Sequence, residues 1–126
     1  MTLFLRAALL LLALLYLAIG TGFLIAPEQL GETFGVAAAG AKGLASMRAD
    51  FTGFFWLLGG ALGWGALRQS GGALLVGAFL AATALAGRGL SLLLDGNYDG
   101  ALQPMVVEAL TVLLALAGMR AFGRKA

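Results

Sequence analysis

A chain of 126 residues that is 61% hydrophobic and only 11% charged is too apolar for a soluble domain, in which about a quarter of residues are charged. Its length allows one domain, residues 1–126, and its net charge of +2 comes from scattered basic residues, which excludes a nucleic-acid face. With no cysteine and no histidine, disulfides, thiolate chemistry, haem ligation by His or Cys and ordinary zinc sites are excluded; composition leaves open a carboxylate-bound metal, but six acidic residues are a thin supply, and no metal and no cofactor are expected.

The first predicted element runs over residues 7–26. A bilayer core needs roughly 20 apolar residues of helix, and this segment supplies them. A cleaved signal peptide is the competing reading. The apolar run is too long for a usual h-region, and no small-x-small site precedes a polar mature chain, so a retained helix is expected. Next comes "APEQLGETFGVAAAGAKG". Pro27 can start a helix. Leu30 and Phe34, four apart, share one face, with Glu28 and Glu32 on another. A short helix over 27–34, lying in the membrane interface, is expected in preference to an irregular loop.

The second span is predicted over 44–67, with Arg48 and Asp50 near its start. "RQSGG" (68–72) reads as a short polar hairpin loop. The third span, 73–94, contains Arg88. "DGNYDGALQP" (95–104) is rich in turn residues and ends in a proline suited to the first position of a helix. The fourth span, 104–122, contains Glu108. Polar–apolar alternation is absent, so a barrel is rejected. The fold class is all-α integral membrane: four transmembrane helices in an antiparallel bundle, with a short interfacial helix between the first two.

Lysine and arginine set the orientation. With the N-terminus in the cytoplasm, the inner side holds Arg6, Arg68, Arg120, Arg124 and Lys125, while the outer loops hold only Lys42. The expected location is the inner (plasma) membrane, multi-pass, with both termini cytoplasmic.

This topology gathers the intramembrane charges. Arg48, Asp50, Arg88 and Glu108 all fall in the outer leaflet. Arg88, Ser91 and Asp95, at i, i+3 and i+7, line one helix face. Glu108 and Thr111 share a face, as do Arg48 and Thr52. Asp50 lies about 200° round a regular helix from Arg48. Charged residues within a membrane usually face the bundle interior, pair with one another and mark function. The candidate binding cluster is therefore Arg48, Asp50, Thr52, Arg88, Ser91, Asp95 and Glu108, with Arg88 and Glu108 expected to face each other and Arg48 nearby. The structural alternatives are an Arg88–Glu108 pair that only joins two helices, and an Arg48 and Asp50 that only cap one. No residue is assigned a catalytic role.

Twenty glycines suit close helix packing in lipid. Gly59 and Gly63 form a GxxxG step, and Ala78, Ala82 and Ala86 a small-residue seam. Either could pack within the chain or build a homo-oligomer. Trp64, near the Arg68 loop, is the better candidate for an interfacial belt than Trp56.

The order "APEQLGETFG", "RADFTGFFWLLG", "GRGLSLLLDG" and a last span with Glu108 resembles a family of small bacterial four-helix membrane proteins of unknown function, and more loosely the DoxX-like proteins. Pro27, Phe34, Gly35, Arg48, Gly53, Arg88, Asp95, Gly96 and Glu108 carry the resemblance; Phe51 and Thr52 depart from it. It implies the four-helix fold and no established reaction.

Three functions compete. The first is a non-enzymatic accessory subunit or lipophilic-ligand-binding bundle, whose partners are the lipid bilayer and either a lipophilic small molecule or a larger membrane complex. The second is an enzyme acting on a lipid-soluble substrate, with Glu108 or Asp50 moving protons and Arg48 or Arg88 holding an anion. The third is a small dimeric transporter. Small size and tiny loops favour the first.

Overall fold

The computed structural model describes residues 2–123, and every regular element among them is helical: α1 (Thr2–Ile25), α2 (Pro27–Phe34), α3 (Gly40–Ser46), a π-helical turn (Met47–Phe51), α4 (Thr52–Arg68), α5 (Gly71–Asp95) and α6 (Leu102–Gly123). Arg124 and Lys125, counted above for orientation, lie outside the described residues. α1 packs most extensively on α4, and α5 on α6; α4–α5 and α1–α6 contacts close the ring.

Three helices, α1, α5 and α6, are each long and apolar enough to cross a membrane. The segment expected as a second span is not one regular α-helix. α4 alone has 17 residues, and the chain before it stays helical through α3 and the π turn. A π turn, closed by i→i+5 hydrogen bonds, brings residues five apart onto one face. Met47 and Thr52 are accordingly both buried, while Arg48, Ala49 and Asp50 between them are exposed. This replaces the regular-helix angle between Arg48 and Asp50.

α1 and α4 are clamped at both ends. Arg6, near the start of α1, donates from Nε to the Ala66 carbonyl (2.9 Å) at the end of α4. Arg48 donates from Nε to the Leu24 carbonyl (3.1 Å) at the end of α1. Each guanidinium meets last-turn carbonyls that lack an intrahelical donor. Between the clamps, Gly59 lies against the backbone of Ala13 and Leu17, and Gly63 faces the Ala13 methyl. The GxxxG step thus packs on α1 within the chain. The alanine seam does not: Ala78 is buried, but Ala82 and Ala86 are exposed, and Ala81 takes the inward place.

α2 has the bounds its residues predict. Pro27 opens it, and Gly35, at φ 72°, ends it in the left-handed region; the Val36 N–H then reaches the Gly31 carbonyl at 2.7 Å. That closure is a Schellman motif, which glycine accommodates without strain. Its apolar face seats on the end of the bundle where α1 finishes. Leu30 lies against Gly22, and the Phe34 ring stands 5.3 Å from Phe23 and 5.7 Å from Phe55. Glu28 and Glu32 are exposed.

At the other end, Gln69 (φ 53°) makes the tight turn, and the Ser70 hydroxyl accepts from the Ala73 N–H to cap α5. Trp64 is exposed there with the Arg68 guanidinium over its ring, as an interfacial belt residue would be. α6 starts at Leu102, two residues earlier than expected, so Pro104 sits within its first turn. There a missing N–H costs nothing.

Candidate functional site

The inward face of α6 is set by spacing: Glu108, Thr111, Ala115, Gly118 and Phe122 are buried, close to a helical repeat. Two of the five are polar, and each meets a partner from a different helix.

Arg88 of α5 donates from Nε to both Glu108 carboxylate oxygens, at 3.0 and 2.9 Å. The Glu108 side chain is 9% exposed and that of Arg88 28%. Arg88 is seven residues before the end of α5, about 10 Å at 1.5 Å per residue; Glu108 is six after the start of α6, about 9 Å. The early start of α6 brings the two charges almost level. The expected facing pair is present. Both bonds use Nε, so Nη1 and Nη2 keep no protein acceptor among the described residues.

One turn further along α6, the Thr111 hydroxyl donates to the Val107 carbonyl (2.8 Å). Its proton is thereby committed, so the Tyr16 hydroxyl, 2.8 Å away, is the donor to Thr111 Oγ1. Tyr16 and Thr111 are both buried. Each lies nine residues from its helix end, about 13.5 Å, directly below the ion pair. Sequence reasoning noted Thr111 only as a neighbour of Glu108 and missed Tyr16. Tyr16 belongs to the buried stripe Leu5, Leu9, Ala13, Tyr16, Gly20 and Phe23, which a helix apolar on every face does not mark in the sequence.

Ser91 and Asp95 join Arg88 in an open groove of about 510 Å³ along α5, completed by Ala84, Gly87, Gly96, Asn97 and Tyr98. The rest of the expected cluster is elsewhere. Arg48 is spent on the Leu24 carbonyl and does not bond to the ion pair; the end of α1 is its nearer acceptor. Asp50 is exposed and makes no ion pair among the described residues. Thr52 is buried, and its hydroxyl has no partner among the described residues. Thr21, Thr83 and Thr111 all donate to the carbonyl four residues back; the corresponding residue for Thr52 is Arg48, inside the π turn, where the α-helical register is broken.

The site therefore comprises an ion pair, a tyrosine–threonine bond beneath it and an open groove beside it. Among the described residues, no group of three acidic side chains converges to hold a metal. No protein-family model matches this chain, and neither the characterised proteins nor the solved structures compared with it gave a match. The resemblance to DoxX-like proteins thus has no family match behind it.

Proposed function

We propose that this chain is a four-span inner-membrane protein whose bundle holds a lipophilic ligand against Arg88 in the outer leaflet, without catalysing a reaction. The groove beside the Arg88–Glu108 pair carries this reading. It offers guanidinium donors without a protein acceptor, beside small residues that leave space for an apolar chain.

The four-span count rests on the clamps. Arg6 to Leu24 on α1, and Arg48 to Ala66 from the π turn through α4, are both 18-residue steps, about 27 Å of regular helix. A segment matched end to end with a spanning helix crosses the same thickness. The lysine and arginine distribution favours cytoplasmic termini. A reporter fused after Lys125 should read cytoplasmic, and reporters inserted near Gly40 or Asn97 external. A cytoplasmic signal at Asn97 would overturn the topology.

Ligand binding is tested by mass spectrometry of the detergent-solubilised protein. A defined amphiphile should copurify with the natural chain and be depleted in Ser91→Leu, which fills the groove on the exposed side of α5. Recovery of only an unselected mixture of detergent and lipids, unchanged by that substitution, would defeat the binding reading. A stoichiometric large protein partner instead would favour an accessory subunit.

A further inference from the structure

The order of chemistry along the groove selects among amphiphiles. Its inner end is Ala84 and Gly87, which add almost no side-chain bulk. Arg88 follows, then Ser91 one turn outward, then Asp95, with Asn97 and Tyr98 at the mouth. From inside out the groove is therefore apolar, cationic, hydroxyl-bearing and anionic. No residue of α5 beyond Ala81 is fully buried, so this face keeps room for an occupant.

Charge decides which one. Arg88 is already neutralised by Glu108, and Asp95 adds an unpaired negative charge at the rim. A purely anionic headgroup would gain from the free Nη donors but meet Asp95 with like charge. A zwitterionic headgroup with the anion inward and the cation outward meets both. A phospholipid has this order, with phosphate nearer the chains and the amine further out. A primary ammonium can also donate hydrogen bonds to the Asp95 carboxylate and the Tyr98 hydroxyl, which a quaternary ammonium cannot.

We infer that the α5 groove is a site for a zwitterionic phospholipid with a primary amine, a phosphatidylethanolamine, its phosphate on Arg88 and Ser91 and its ammonium on Asp95. The inference rests on the ligand-binding reading above and names the ligand class. The lipid is the source rather than free phosphoethanolamine, because the guanidinium lies about 10 Å below the end of α5 and the inner end of the groove accepts a chain.

The test is competition in detergent between phosphatidylethanolamine, phosphatidylcholine and phosphatidylglycerol of identical acyl chains, at equal concentration, with retained lipid read by native mass spectrometry. The natural chain should retain the ethanolamine lipid about three- to five-fold over phosphatidylglycerol, the size expected for one exposed charge pair, and by a similar factor over phosphatidylcholine, whose cation cannot donate a hydrogen bond to Asp95. Asp95→Asn changes an exposed residue outside the core. It should abolish the preference over phosphatidylglycerol. Soluble phosphoethanolamine at millimolar concentration should not displace the bound lipid. Equal retention of all three lipids, or a preference that survives Asp95→Asn, overturns the inference while leaving a lipophilic-ligand site standing. Displacement by soluble phosphoethanolamine overturns the lipid as source. Retention of no lipid at all sinks the underlying binding reading instead.

Discussion

Arg88→Met and Glu108→Gln will each destabilise the protein, and the double variant will lose less than the sum of the two. Orphaning a buried charge costs about 3–5 kcal/mol. Arg88→Met should be the worse single change, because it leaves the 9%-exposed Glu108 carboxylate without a partner. Glu108→Gln leaves a guanidinium that is 28% exposed and can reach solvent, so its cost should fall to about 2 kcal/mol after allowing for that exposure. The non-additive part should be about 1–3 kcal/mol. Unfolding curves of the four proteins in one detergent measure it, and strict additivity would dispose of the coupling. Ligand retention in the double variant separates two roles for the pair: retained ligand makes it structural, and lost ligand with the fold intact makes it part of the site.

The second large effect is expected at Gly59. A Cβ there would press on the Ala13 carbonyl oxygen and the Leu17 nitrogen. Those are backbone atoms of α1 and cannot rotate away. Gly59→Val should separate α1 from α4 and cost about 1–3 kcal/mol or more, as overpacking does. Gly60→Ala is the control: nothing lies within 4 Å of its Cβ position, so it should be neutral or gain up to about 1 kcal/mol from helix propensity. Thermal unfolding in detergent distinguishes them, and equal melting temperatures would contradict the close approach of the two helices.

What was legible in the sequence had local causes. Pro27, Gly35 and the Leu30–Phe34 spacing define α2 because capping and amphipathic rules act within a few residues. The Arg88–Glu108 pairing was legible because charges are rare in an apolar chain and a short loop makes their helices antiparallel neighbours. The remainder was hidden by the same apolarity. On a helix whose every face is hydrophobic, periodicity does not show which stripe turns inward, so Tyr16 gave no sign of reaching Thr111, and Ala81 no sign of displacing Ala82 from the interior. The π turn was invisible because a regular helix over 44–67 fits the same residues; only the pairing of Arg48 with the end of α1 exposes the extra residue.

The two arginine clamps make α1 and α4 each other's ruler. An added residue between Arg6 and Leu24 would lengthen one side by about 1.5 Å and swing everything beyond it by about 100°, so one guanidinium would lose its carbonyls whichever end stayed fixed. Tolerated length changes in either helix must then be matched in the other. The clamps also impose a timetable on synthesis. The end of α1 waits for an arginine made 24 residues later, while the end of α4 is met by one made 60 residues earlier. The first two long helices can therefore complete each other as a hairpin before α5 and α6 exist, with the Tyr16–Thr111 bond and the Arg88–Glu108 pair formed last against a finished wall.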